Sequence, residues 1–209
     1  MKIAAVIPAY NEEERIAEVV NITIQHDLIT ETIVVSDGSI DNTALIADEC
    51  GAKVVELNEN IGKGGAMQLG VEETEAEIIL FLDADLIGLN SEHIDRLLNP
   101  LINNNFKMTV GLFGKGRFTT DLAQKIAPFL SGQRGVRREI LQEISNLDLT
   151  RFGVEVALTR HAKESGIKIK RVILNGLTHV MKEEKLGLWQ GIIARFRMYW
   201  EMIKGIQWS

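Results

Sequence analysis

The chain has 209 residues, 45% of them apolar and 25% charged, with a net charge of −6 and one cysteine. That suffices for one substantial core and is too short for two full domains joined by a linker. An acidic chain presents no strong positive field to a phosphate backbone, which excludes a nucleic-acid partner; Cys50 has no second thiol to pair with, and no apolar run approaches the roughly 20 residues that span a bilayer.

Strand and helix signals alternate from the start. Residues 2–7 (KIAAVI) read as a buried first strand, too short for the apolar region of a secretory leader, and the expected compartment is the cytoplasm. Asn11, with Glu14 three residues on, reads as a capping box opening a helix whose inner stripe is Ile16, Val19, Val20, Thr23 and Ile24. ETIVVS follows as a strand ending in DGS, then a helix stopped by Gly51, then the strand AKVVEL. A helix starting near Lys63 leads to EIILFL, the most apolar strand, which ends in Asp83-Ala84-Asp85. Ser91 is the expected cap of the next helix, through Leu97, Leu98 and Leu101, and MTVGLF is the next strand. Strands separated by helices of this length imply βαβ units, a mostly parallel sheet and helices on both faces. Beyond Gly114 the pattern is less regular. Helices are expected near 120–129 and 136–144 and through VEVALTRHAKES, followed by the strand IKIKRVIL. No repeat, low-complexity tract or linker interrupts the chain, which reads as a single domain over 1–209.

In an open parallel sheet, ligands bind outside the carboxyl ends of the strands. Polar residues collect at four consecutive ends: PAYNEE, SDGS, NIGKGG and DAD. Singly, Asp37-Gly38 reads as a turn and Asn11 as a cap, and the lysine loop lacks the P-loop spacing. Together they outline a site. Two carboxylates leaving a buried strand repel each other unless a cation or hydrogen bonds offset their charge, and hard oxygens that share a site with phosphate suit Mg²⁺ or Mn²⁺.

These segments, in this order over residues 3–86, resemble the family 2 type of GT-A glycosyltransferase, a Rossmann-like nucleotide-diphospho-sugar transferase fold. GRFT (Gly116 to Thr119), SGQRGVRREIL, FGVEVAL and a late histidine are similar to glucosyl-3-phosphoglycerate synthases, although this chain carries LTHVMKE where an HRN run stands in those enzymes. The resemblance implies a nucleotide-sugar-binding half over 1–86, an acceptor half over 87–186 and a C-terminal amphipathic helix over 187–209. It implies that Pro8, Tyr10, Glu12 and Ser39 hold the nucleoside and that Asp37 supports their loop or meets the base. Lys63 would approach the base or phosphates, Asp83-Ala84 the ribose or sugar, and Asp85 and His179 a divalent cation. His26, His93 and His161 read as structural.

On the acceptor side, Gly116, Arg117 and Thr119 offer a backbone nest and a guanidinium that suit an anion. Arg134, Arg137 and Arg138 cluster at an expected helix start, where the dipole disfavours cations, which hints at an anion there. Over Leu188 to Trp208 a narrow polar stripe and a wide apolar arc suggest a homodimer seam, with peripheral contact to a membrane left open. The expected activity is cation-dependent transfer of a hexose from a UDP- or GDP-linked donor to an anionic or lipid-phosphate acceptor. Similarity to the phosphoglycerate synthases implies retention at the anomeric carbon; an inverting enzyme would need a base, for which Glu155 is the candidate. The alternatives are a catalytically silent nucleotide-sugar-binding module and a sugar-1-phosphate nucleotidyltransferase, although the latter wants a Gly-rich basic loop after the first strand. A missing GxGxxG there disfavours an NAD enzyme.

Overall fold

The computed structural model describes residues 1–114, 131–144 and 154–179. Within them the chain forms β1 (Ile3–Ala9), α1 (Ile16–Ile24), β2 (Glu31–Ser36), α2 (Thr43–Glu49), β3 (Lys53–Glu56), α3 (Lys63–Glu72), β4 (Ile78–Phe81), β5 (Leu86–Ile87) and α4 (Ser91–Asn103). Then come β6 (Met108–Phe113), β7 (Arg134–Arg137), α5 (Arg138–Glu143), α6 (Val154–Glu164), β8 (Ile169–Leu174) and β9 (Thr178–His179).

Seven strands make one sheet in the order β3-β2-β1-β4-β7-β6-β8. All run parallel except β7, which is antiparallel to both neighbours, β4 and β6. The mostly parallel α/β sheet expected from the sequence is therefore present, and strands from residues 1–86 and from 87–179 share it. Side chains of one strand alternate between two apolar layers. Ile3, Ile7, Val34, Ile78 and Leu80 meet α1 and α4 on one face. Ala4, Val6, Ile79 and Phe81 meet Met67 of α3, Ile140 of α5 and Leu158 of α6 on the other. Burying each large apolar side chain contributes about 1.5–3 kcal/mol, so a strand such as IILF is stable only when covered on both faces. Pro8 sits where β1 has outrun β4, beyond the last pairing of Val6 with Phe81, so its missing N–H breaks no bond on that side.

Several sequence expectations are corrected. Asn11 does not cap α1, which begins at Ile16; its φ is 53° and its Oδ1 accepts from the Ile40 amide at 2.9 Å. The cap of α4 is Asn90, whose side chain accepts from the His93 amide, and Ser91 is the first helical residue. The helix expected over 136–144 spans only Arg138–Glu143, because Arg134–Arg137 is strand β7. The helices expected near 120–129 and over 187–209 lie outside the described residues. Among the described residues, no helix is long and apolar enough to cross a membrane.

Nor does the arginine cluster await an anion. Arg137 ends a strand and Arg138 opens a helix, and their side chains leave toward opposite faces. Arg137 donates to the carbonyls of Leu101 (2.6 Å) and Phe106 (3.3 Å) at the end of α4. Arg138 donates to the carbonyls of Val71 (3.3 Å) in the last turn of α3 and of Thr74 (2.5 Å) and Ala76 (2.6 Å) just beyond it. The dipole favours cations at such C-terminal ends. Arg138→Met is expected to cost about 2 kcal/mol, the loss of charge-assisted bonds to buried carbonyls, and to lower Tm by about 4–8 °C. Calorimetry checks this; an unchanged Tm would reduce Arg138 to a surface residue.

Candidate active site at the carboxyl ends of the strands

The loops after β1, β2 and β3 are tied into one surface by side chains. Ser39 Oγ accepts from the Asn11 amide (3.1 Å), Thr43 Oγ1 from the Glu12 amide (2.8 Å) and Asp41 Oδ2 from the Glu13 amide (3.2 Å). Glu13 returns the contact, its Oε2 accepting from the backbone and side-chain nitrogens of Asn42, both at 3.0 Å. Burial opposes ionisation of Asp41, but bonds from the Thr43 hydroxyl and amide and the Glu13 amide outweigh it and hold its carboxyl below the usual range. Asp37 is buried, and its carboxylate takes the amides of Ile61 (2.7 Å) and Gly62 (3.0 Å). Of the two roles expected for it, loop support is the one this geometry provides. Pro8 near the end of β1, and Glu12 and Ser39 in the following loops, are each partly buried. Tyr10 is 48% exposed.

Beyond β4 the charges concentrate. Lys63, the first residue of α3, places Nζ 2.6 Å from Asp83 Oδ1 and 2.6 Å from Glu155 Oε1. Gln133 Nε2 donates to the other Asp83 oxygen at 2.6 Å. Gly132 lies so close beneath that a Cβ there would stand 2.3 Å from Asp83 Oδ1, so a larger residue would displace this carboxylate from its place. Partial burial works against the Lys63 ammonium, but the Asp83 and Glu155 carboxylates overcome it and push its pKa above that of an ordinary lysine. Ala84 is buried in the core, between the partly buried Asp83 and Asp85 of the β4–β5 connection.

Arg134 is fully buried in β7, donating from Nε to the Ser131 carbonyl and from Nη1 to Thr159 Oγ1, both at 2.8 Å. Burial pulls its guanidinium down to about 10, while Glu155 and Asp83 oppose that pull. It stays cationic at neutral pH. The acceptor contact expected for Arg134 is corrected accordingly: it has no surface to offer, and it serves as an internal counter-charge behind two site carboxylates. Gln133 went unrecognised among the sequence candidates, and its one signal was its place inside the SGQRG segment. Gly116, Arg117 and Thr119 lie outside the described residues.

The sequence pattern also missed a small second sheet. β5 and β9 pair antiparallel, Leu86 opposite His179 and Ile87 opposite Thr178. The backbone of His179 thus stands one residue along from Asp85, although 94 positions separate them in the chain. Among the described residues, no group of three or more His, Cys, Asp or Glu side chains is gathered to hold a cation unaided.

A mostly parallel sheet thus links the loops at its carboxyl ends and sets an acid-paired lysine beside the DxD segment. The glycosyl transferase family 2 profile matches residues 4–155, and the chain belongs to that family. It is 42% identical over 97 residues to the 4,4'-diaponeurosporenoate glycosyltransferase of Staphylococcus haemolyticus, a match covering 44% of this chain and 26% of the relative. The corresponding Staphylococcus aureus protein (strain MRSA252) is 36% identical over 99 residues, covering 45% of this chain and 26% of the relative. The chain thus spans about a quarter of the length of these curated relatives. Among solved structures, it is similar to glucosyl-3-phosphoglycerate synthase from Mycobacterium tuberculosis. In complex with Mn²⁺, UDP and phosphoglyceric acid, that enzyme gives a TM-score of 0.77 at 28% identity, covering 93% of this chain and 77% of the other. Its complex with Mg²⁺ and UDP gives 0.75 at 27%, covering 93% and 78%. The fold is GT-A.

Proposed function

We propose that the chain transfers a hexose from a UDP- or GDP-linked donor to an anionic small-molecule or lipid-phosphate acceptor, with Mg²⁺ or Mn²⁺ held by Asp85 and His179. The carrying observation is the β5–β9 register, which brings the His179 backbone beside the residue after Asp85. A carboxylate and an imidazole, completed by diphosphate oxygens, are a suitable donor set for these cations. When bound, such a cation neutralises charge developing on the leaving diphosphate. Asp83, held on both oxygens, is oriented to accept hydroxyl protons from the ribose or sugar, and Tyr10 offers a stacking face to the base.

Glu155 is committed to Lys63 at 2.6 Å. To take a proton from an attacking hydroxyl it would first have to give up that partner, which favours the retaining reading, where no protein base is required. Phosphoglyceric acid and glycerol 3-phosphate, present in complexes of the mycobacterial synthase, are anions and support an anionic acceptor.

Thermal shift with UDP- and GDP-sugars, with Mn²⁺ or with EDTA, tests the reading. Donor at a hundred times its dissociation constant adds about 2.7 kcal/mol of apparent stability, and EDTA should remove most of it. A shift indifferent to EDTA refutes the cation's role. Binding without any donor hydrolysis or transfer makes the chain a silent sugar-nucleotide sensor.

A further inference from the structure

β9 is two residues long, and a ladder that short does not hold itself in register. Its anchor is α4. His93, 3% exposed in the first turn of α4, places Nε2 2.9 Å from the carbonyl oxygen of Asn175, just before β9. A carbonyl only accepts, so Nε2 carries the proton. Nδ1 has no partner among the described residues. A buried imidazole with one orphaned nitrogen is a poorer core filler than leucine or phenylalanine, so its single bond to Asn175 is its distinguishing contribution.

A second tie lies one turn along. Arg96 Nη1 donates to the Ile173 carbonyl at 3.2 Å while Nε and Nη2 hold Glu92. From the other side the β5 segment closes in. A Cβ on Gly88, whose φ is 79°, would stand 2.8 Å from the Gly176 carbonyl oxygen. Leu177 is buried in the same apolar layer as Ile94 and Leu97 of α4. The turn between β8 and β9 is therefore gripped by α4 on one side and by the strand that follows Asp85 on the other.

We propose that His93 and Arg96 are positioning residues for the cation site: by fixing residues 173–177 on α4, they set β9 opposite β5 and hence the spacing between Asp85 and the backbone of His179. This rests on the reading of Asp85 and His179 as cation ligands. In this role His93 and Arg96 act through Asn175 and Ile173 and need no contact with donor or acceptor.

The test is Mn²⁺ affinity of the full chain with UDP, read as free Mn²⁺ by electron paramagnetic resonance, beside UDP affinity in EDTA by calorimetry. His93→Phe keeps bulk and loses the donor, and should weaken Mn²⁺ binding about tenfold or more, the usual effect of removing an outer-shell partner. His93→Gln, whose Nε2 reaches the same place, should stay within about threefold on the same scale, and Arg96→Met should lose about threefold. UDP affinity in EDTA should be unchanged in all three. A folded His93→Phe with wild-type Mn²⁺ affinity overturns the proposal, as does a loss of metal-free UDP binding equal to the loss of Mn²⁺ binding. Should His93→Phe fail to fold, Arg96→Met, altered at an exposed side chain, decides: unchanged Mn²⁺ affinity there overturns it. A wild-type protein whose UDP binding ignores Mn²⁺ removes the cation reading itself, and this proposal with it; a responsive wild type with indifferent variants counts against positioning alone.

Discussion

Asp85→Asn is expected to slow transfer by at least about a thousand-fold while leaving the fold and Tm near wild type. Asparagine keeps the size and one oxygen of the side chain and removes its charge. The position lies in the β4–β5 connection at the cleft, half-buried, rather than in either apolar layer. Charge neutralisation by a bound cation contributes several kcal/mol to a developing oxyanion, and about 4 kcal/mol corresponds to three decades of rate. Donor turnover measured across a Mn²⁺ titration is the check, with metal-free UDP affinity as the control expected to hold steady. A variant with wild-type turnover and an unaltered Mn²⁺ response would remove this residue from the site.

Lys63→Met is expected to lower kcat about 10²–10³-fold, the usual effect of losing one preorganised charge at a reacting centre. Methionine preserves the length and apolar stem, so the change is mainly the ammonium. Its loss leaves Asp83 and Glu155, each 2.6 Å from the same nitrogen in the wild type, without the cation between them and with the buried Arg134 as a nearby counter-charge. Asp83 then loses its lysine partner and with it part of what fixes its orientation. The stability effect has a set pH window. The Lys63 pKa is raised on folding, so its contribution is fully present below the unfolded lysine value of about 10.4 and is lost only as pH rises through the higher folded value. The difference in Tm between wild type and variant should therefore be constant from about pH 7 to pH 9. A wild-type kcat in this variant, or a Tm difference that vanishes within that range, would show that the lysine is a solvated surface residue.

How much of this was legible in the sequence depended on the range over which each feature is encoded. β2 and β6 match ETIVVS and MTVGLF residue for residue, because apolar runs bounded by turn residues are local signals. The polar clusters were legible as a site for a topological reason: parallel strands joined by helices deliver their loops to one edge of the sheet. Asn11 was misread because a short polar side chain before a helix looks the same from sequence whether it caps its own helix or crosses to the neighbouring loop. Its bond runs to Ile40, 29 residues away.

The sequence by itself thus determined the α/β class, the succession of strands and helices along its first half, and the placement of Asp83, Asp85 and Lys63 at one edge. Periodicity, capping and the parallel-sheet rule all act within a few tens of residues. Only the tertiary structure decided how the second half is laid into the sheet. It reversed β7, sent Arg134 into the interior instead of toward an acceptor, and laid Gln133 on Asp83 across 50 residues. It also closed the β5–β9 ladder, with His93 reaching Asn175 across 82 residues. Contacts at such separation leave no local pattern, because what selects them is the shared burial of two apolar layers and the satisfaction of buried polar groups, quantities that exist only once the chain is packed.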